Sequence, residues 1–233
     1  MRRLPPYPTS GGDEPVVLDM KDARPVPFNL APQMTPVFPA NLVTWTSPEE
    51  VQIFTRTLES MEWSKIVAWG WYCQYRVRLN MPGAFEWLHQ VIDPRYRPNG
   101  TFLCTPKEHP FNDMGYAVEM AQVAMVISEL LLQSVGDIIR VFPVWPKDRD
   151  AAFCRLRAQG GFIVSAKQAD GKVTNLEITS TVGGALRLLS QWPTIVAHDD
   201  DGTSRQLRSD TRGVVEIPTT PGQRIVFSGQ PAR

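Results

Sequence analysis

The sequence HPFNDMGYAVEMAQVAMVISELLLQSVGDIIRVFPVWP, residues His109–Pro146, joins two kinds of hydrophobic patterning in this chain. It opens with a polar loop and continues as a long apolar run, which predicts a buried helix over residues 115–133. It then ends in a short strand and a proline-rich turn. Because apolar residues recur at helical spacing before Gly136 and alternate after it, the stretch is the predicted junction of a helical part and a strand-rich part.

The sequence upstream of this junction predicts three more helices, over residues 47–61, 64–79 and 83–92. Ser47 is suited to cap the first of them, with Pro48 at its first position and Glu50 completing a capping box. The second helix carries aromatic residues on more than one face, which predicts burial among other helices.

The predicted fourth helix has a narrow polar stripe. At 100° per residue, Glu119, Gln122, Glu129 and Gln133 fall in one sector, and nearly all other positions are apolar. We expect most of this helix to be packed and the stripe to face either solvent or a central cavity.

The residues after Gly136 predict an antiparallel β-sandwich. Asp170-Gly171 lies between two alternating runs and is a strong hairpin signal. The predicted strands are 138–142, 152–158, 162–167, 173–180, 186–189, 194–198, 214–217 and 224–227. The fold class is therefore α+β, with helices first and strands second.

Residues 1–46 are rich in proline, which removes backbone donors and disfavours helix. We expect an extended segment there, with at most short strands at Pro15–Leu18 and Thr35–Phe38. The predicted organisation is an extended segment (1–46), a helical region (47–136) and a β-sandwich domain (137–233).

Composition excludes several classes of function. The 24 Lys and Arg residues balance 24 Asp and Glu residues without a basic stripe, so we expect neither nucleic acid nor an anionic membrane as a partner. The N-terminus lacks the apolar core of a signal peptide, and no apolar run is long enough for a membrane helix. Cys73, Cys104 and Cys154 show no metal-binding or disulfide spacing, and no metal or cofactor site is predicted.

Four short motifs in this order resemble glycoside hydrolase family 95, which includes α-L-fucosidases and related L-sugar hydrolases. They are Glu129–Ser134, Phe142–Pro146, Leu156–Phe162 and Asp170–Lys172, and the resemblance is clearest over residues 111–189. It implies a parent with an (α/α)6 catalytic barrel and a C-terminal β-sandwich. This chain would then hold the last helices of such a toroid and the sandwich, as a C-terminal fragment with little activity alone.

The resemblance also implies inverting hydrolysis by two carboxyl groups, one an acid and the other a base that activates water. Counting residues back from Ser134, at the end of the helix motif, places the family's catalytic carboxylate near Glu119. The Pro-Phe pair that precedes this carboxylate in the family points instead to Asp113. Both remain candidates. The alternative for Glu119 is a solvated helix stripe, and the alternative for Asp113 is a helix N-cap.

Four further residues are candidates for binding a carbohydrate substrate. His109 and Asn112 share the loop with Asp113, and Trp69 and Trp71 could stack on sugar rings. The alternatives are a packing histidine and core tryptophans. His89 and His198 are expected on the surface, and Asp199–Gly202 is expected to be an acidic turn rather than a calcium loop.

Two functional hypotheses follow from the sequence. In the first, the chain is part of a carbohydrate-active hydrolase and contributes one carboxylate. In the second, it is a non-catalytic accessory module whose helices pack on another domain or chain, which predicts an exposed apolar patch on those helices.

Overall fold

The computed structural model describes residues 5–23, 31–61, 68–103, 105 and 117–230, with only the backbone at 117–119 and 230. Over these residues the chain is α+β, with four α-helices followed by antiparallel sheets. It divides into two compact units, Met1–Glu129 and Leu130–Arg233, which we call the helical unit and the sheet unit.

The four predicted helices are confirmed. They are α1 (Pro48–Ser60), α2 (Trp69–Arg78), α3 (Ala84–Ile92) and α4 (Ala117–Leu131). α1 begins at Pro48, whose fixed φ suits a first helical position. The predicted capping box is wrong, because the Ser47 side chain makes no capping hydrogen bond. Within the described ranges, none of the helices combines the length and the hydropathy that a bilayer-spanning segment needs.

The proline-rich N-terminal segment contributes side chains to the core of the helical unit. Val17, Met34 and Val37 are buried in one cluster with Phe54 and Leu58 of α1. The predicted strand at Thr35–Phe38 is wrong, because a short 3-10 helix at Pro32–Met34 leads into turns there. Apolar side chains between the prolines therefore hold this segment against the helices.

The sheet unit contains ten short strands in its described residues. A six-stranded antiparallel sheet has the order β3-β4-β5-β10-β7-β8, and two smaller antiparallel pairs are β1-β2 and β6-β9. The strands are β1 (Leu132–Gln133), β2 (Arg140–Val141), β3 (Ala151–Ala158), β4 (Phe162–Ala169), β5 (Lys172–Ser180), β6 (Gly184–Leu189), β7 (Thr194–Asp199), β8 (Ser204–Leu207), β9 (Val214–Thr219) and β10 (Arg224–Gln230).

The core of the sheet unit is formed by every second side chain along its strands, because successive side chains point to opposite faces of a sheet. Phe162, Val164 and Ala166 of β4 point inward, and they share one hydrophobic cluster with Leu186 of β6 and Ile217 of β9. The β4–β5 connection is the predicted hairpin, with positive φ at both Asp170 and Gly171, as a type I′ turn requires.

Three details of the junction and strands differ from the sequence prediction. The fourth helix ends at Leu131, and Gln133 instead pairs with Arg140 in the short β1-β2 ladder. The predicted strand 138–142 is shortened to Arg140–Val141. β8 was not predicted, because its exposed sequence Ser-Arg-Gln-Leu lacks apolar alternation.

Candidate functional site

The predicted catalytic loop is largely outside the part of the chain that the structure describes. His109, Asn112 and Asp113 all fall among the residues left out, and Glu119 is described only as backbone in the first turn of α4. The acid–base and binding roles of these four residues therefore stay predictions.

The two candidate stacking tryptophans occupy different environments in α2. Trp69 is fully buried, and its ring centroid lies 6.0 Å from that of Phe102. Trp71 is partly buried and packs edge-on against Phe38 at 5.3 Å. Trp69 thus presents no open ring face to a sugar in this structure, whereas Trp71 retains exposed surface.

The polar stripe of α4 contains a buried ion pair. Both carboxylate oxygens of Glu129 accept hydrogen bonds from Arg78 of α2, at 2.8 Å from Nε and 2.6 Å from Nη2. Nη1 of Arg78 donates to Oδ1 of Asn41 at 2.6 Å. The Arg78 and Glu129 side chains are only 8% and 19% exposed. Glu129 therefore faces α2, rather than the solvent or cavity expected, and both its oxygens are already occupied.

A second polar contact joins the other end of α2 to α4. The backbone N–H of Gly70 donates to Oε1 of Gln122 at 2.9 Å. Gly70 lies in the first turn of α2, where N–H groups have no intrahelical acceptor, so Gln122 supplies a cap from a neighbouring helix. A Cβ atom on Gly70 would collide with the Gln122 side chain. Glycine is therefore needed for this close approach.

Gln74 lies between these two contacts on the same face of α2. It is fully buried, and among the residues that the structure describes neither atom of its amide has a hydrogen-bond partner. An unsatisfied buried amide usually costs about 1–3 kcal/mol. The hydrogen-bonded contacts described between α2 and α4 are thus both made by the polar stripe of α4.

The helical unit also contains an open groove of about 500 Å³ between the N-terminal segment and α1. Its polar lining comprises Tyr7, Thr9, Glu49, Glu50, Gln52 and Arg56. Pro6 and Ile53 supply apolar surface. Burial, together with the nearby Glu50 carboxylate, raises the pKa of Tyr7, so its hydroxyl keeps its proton at neutral pH.

Both ring nitrogens of His198 have hydrogen-bond partners, although its sequence context indicates none. Its Nδ1 lies 2.8 Å from Oγ of Ser204, and its Nε2 lies 2.8 Å from Oγ of Ser228. These serines belong to β8 and β10, the two neighbours of β7 in the sheet. No sequence signal marks this set, because strand register alone brings the three side chains together. His89, in contrast, is exposed beside Asp93.

Each of the three aspartates in the acidic turn after β7 accepts a hydrogen bond from a neighbouring group. Asp199 accepts from Gln223, Asp200 pairs with Arg224, and Asp201 accepts from the backbone N–H of Thr203. The Thr203 hydrogen bonds lower the pKa of Asp201. Among the residues described, no His, Cys, Asp and Glu side chains cluster in a way that could hold a metal ion.

The proline-rich turn at Phe142–Pro146 lies beside the β4–β5 hairpin. The Gln168 amide nitrogen donates to the carbonyl of Pro146 at 2.9 Å and to that of Arg149 at 3.1 Å. A Cβ atom at Gly171 would lie 2.9 Å from the carbonyl oxygen of Lys147. The proline-rich turn therefore packs directly on the Asp170–Lys172 hairpin, and the glycine of that hairpin allows the approach.

No protein-family model matches this chain, and no curated protein is significantly similar to it.

Proposed function

We propose that this chain is the C-terminal part of a family 95-like glycoside hydrolase that acts on L-fucosides or related sugars. The observation that carries the proposal is the ordered set of four motifs, Glu129–Ser134, Phe142–Pro146, Leu156–Phe162 and Asp170–Lys172. Their placement supports it. The first motif runs from the end of α4 into the sheet unit, and the last residue of the second accepts a hydrogen bond from Gln168, just before the fourth.

In this proposal, α1 to α4 are the last helices of an (α/α)6-type toroid, and the sheet unit is its C-terminal β-sandwich. Asp113 or Glu119 supplies one of the two carboxyl groups. His109, Asn112 and Trp71 belong to the sugar site, whereas Trp69 is a core residue packed against Phe102. Inverting hydrolysis needs two carboxyl groups roughly 6.5–9.5 Å apart, so a chain that supplies one of them binds sugar without efficient turnover.

The chain alone is expected to hydrolyse p-nitrophenyl α-L-fucoside no faster than buffer does. Saturation-transfer NMR should nevertheless detect binding of L-fucose. We expect either Asp113→Asn or Glu119→Gln, but not both, to weaken this binding by about tenfold, because a carboxylate hydrogen bond contributes roughly 1.5–3 kcal/mol. The affected variant would decide between the two candidate acids.

Two outcomes would contradict this proposal. Efficient turnover of the aryl fucoside by the chain alone would show that both carboxyl groups are present. Absence of binding to L-fucose, L-galactose and their aryl glycosides would remove the carbohydrate-active assignment. The exposed Asp148→Asn, distant in sequence from the candidate loop, serves as the matched control.

The second candidate is a non-catalytic module whose helices pack on another domain or chain. The observation that favours it is an exposed apolar face on α4. Met120 and Ile127 are 42% and 38% exposed, and Ala124 is exposed between them at helical spacing. Large apolar side chains grouped on one exposed face are characteristic of interaction surfaces.

The double substitution Met120→Glu and Ile127→Lys tests this second candidate. Sedimentation equilibrium of the wild-type chain should show concentration-dependent association, which the double variant should reduce by at least tenfold. Val182→Lys is the control, since Val182 is 67% exposed but lies in the sheet unit. A wild-type chain that stays monomeric and binds no hydrophobic dye would count against the module.

A further inference from the structure

The groove between the N-terminal segment and α1 has well-defined walls. One wall is a small hairpin in which Thr9 pairs with Val17, with hydrogen bonds from Ser10 N to Val16 O at 3.0 Å and from Leu18 N to Pro8 O at 2.8 Å. The other wall is the first two turns of α1. The groove is thus bounded by hydrogen-bonded backbone on both sides.

The two walls are fixed to each other by three contacts. The backbone N–H of Val17 donates to Oγ1 of Thr57 at 2.8 Å. Arg56 Nε donates to the carbonyl of Pro15 at 3.4 Å. The Tyr7 ring packs edge-on against buried Phe54 at 5.4 Å. The groove is therefore formed before any ligand arrives, which lowers the entropic cost of binding.

The polar side chains in the groove have spare hydrogen-bonding capacity. Within the described part of the chain, Thr9, Glu49 and Gln52 make no side-chain hydrogen bond, and Arg56 uses only its Nε in one. Carboxylates accept, guanidinium groups donate, and amides and hydroxyls do both. Donors and acceptors are therefore both present, as a ligand with many hydroxyl groups requires.

The charges lining the groove argue against a strongly charged ligand. Glu49 and Glu50 would repel an anion, and Arg56 offsets one of these two charges, so the lining offers a cation little net attraction. The ring of Tyr7 and the side chains of Pro6 and Ile53 supply apolar surface, which suits the C–H faces of a pyranose. The volume of about 500 Å³ lies within the usual range of small-ligand sites.

From these features we propose that the groove is a binding site for a neutral saccharide, formed by residues other than those of the predicted catalytic loop. Glu50 and Gln52 bind vicinal hydroxyls, Arg56 donates to a ring or hydroxyl oxygen, and the Tyr7 hydroxyl acts as a protonated donor. The site involves none of the candidate catalytic residues. It does not depend on the hydrolase assignment.

The test is ligand-detected NMR and calorimetry on the full chain with saccharides of three charge classes. The neutral probes are lactose, maltotriose and xylobiose, the anionic probe is sialyllactose, and the cationic probe is the glucosamine dimer. We expect at least one neutral probe to bind with a Kd on the order of 1 mM, and both charged probes to bind at least tenfold more weakly. Preferred binding of a charged probe would overturn the proposal.

Substitutions then place the binding in the groove. Tyr7→Phe removes one hydroxyl and keeps the ring, and Glu50→Gln removes one charge at constant shape. Each should weaken binding of the neutral probe by about tenfold. The control is Glu59→Gln, because Glu59 is an exposed glutamate on the last turn of the same helix and outside the groove.

The outcomes also separate this site from the predicted catalytic loop. If Asp113→Asn or Glu119→Gln abolishes binding of the neutral probe while the groove variants leave it unchanged, the groove proposal fails and the hydrolase proposal stands. If no neutral probe binds up to tens of millimolar, the groove is not a saccharide site. Thermal unfolding of each variant confirms that α1 remains folded.

Discussion

Replacing Glu129 by alanine is expected to destabilise the helical unit by about 3–5 kcal/mol, because it leaves the Arg78 guanidinium buried without its counter-charge. Arg78 is 8% exposed, and Glu129 accepts two of its hydrogen bonds. Asn41 is the remaining described hydrogen-bond partner and carries no charge, and the Phe38 ring, 5.5 Å from the guanidinium carbon, is also neutral. A buried cation that loses its carboxylate cannot regain its hydration without opening the contact between α2 and α4.

The measurement is urea unfolding combined with amide hydrogen exchange in α2 and α4, which isolates opening of the helical unit from that of the sheet unit. Glu216→Ala is the matched control. Glu216 forms a similar 2.8 Å contact with Arg187, but these side chains are 59% and 41% exposed. Exposed pairs contribute about 0–1 kcal/mol. Equal losses for the two variants would show that burial of the Arg78 pair has no energetic consequence.

A double replacement distinguishes the ion pair from simple packing. Arg78→Met with Glu129→Leu removes both charges while keeping apolar bulk, and such replacements are often neutral or stabilising. We therefore expect the double variant to recover most of the stability that Glu129→Ala loses. A double variant as unstable as Glu129→Ala would mean that the hydrogen bonds to Asn41 and Glu129 are themselves required.

The elements that the sequence predicted are those in which local periodicity and local turn chemistry agree. α1 begins at Pro48, as its Pro-Glu-Glu sequence indicates. β4 and β5 are joined at Asp170-Gly171, where a type I′ turn needs positive φ at both positions. Both signals lie within a few residues of the feature they determine, so one sequence is enough to read them.

The features that the sequence did not predict depend on side chains distant in the chain. Gln122 and Glu129 of the predicted stripe share a face of α4, but their partners Gly70 and Arg78 lie 52 and 51 residues away. Nothing in the spacing of α4 says which helix will cover it. The same holds for His198, whose serine partners are set by the register of β8 and β10 on either side of β7.

The candidate site likewise combines features that follow from local sequence with features that depend on distant residues. Trp69 and Trp71 are two residues apart, so their shared helix was readable, but their exposure depends on Phe102 and Phe38, which belong to other segments. The groove beside α1 requires the N-terminal hairpin to fold back over the helix. The hairpin is held on the helix by the hydrogen bond between Val17 and Thr57, which are 40 residues apart. No local sequence pattern predicts this contact.

Replacing Gly229 by valine is expected to destabilise the sheet unit by about 1–3 kcal/mol or more, although valine is a strong strand former. Gly229 lies in β10, opposite Ile195 of β7 in the six-stranded sheet. The indole of Trp192 packs directly on its backbone, and a Cβ atom would fall inside that ring. Propensity alone therefore predicts a gain in stability, whereas packing predicts a loss.

The cause is tested by a double-mutant cycle, with the free energy of unfolding of the sheet unit measured in urea. In a Trp192→Ala background, the Gly229→Val penalty should disappear or reverse, since the space occupied by the indole is then free for the valine side chain. An equal penalty in both backgrounds would contradict this account. It would mean that the strand needs glycine at position 229 for a reason other than the contact with Trp192.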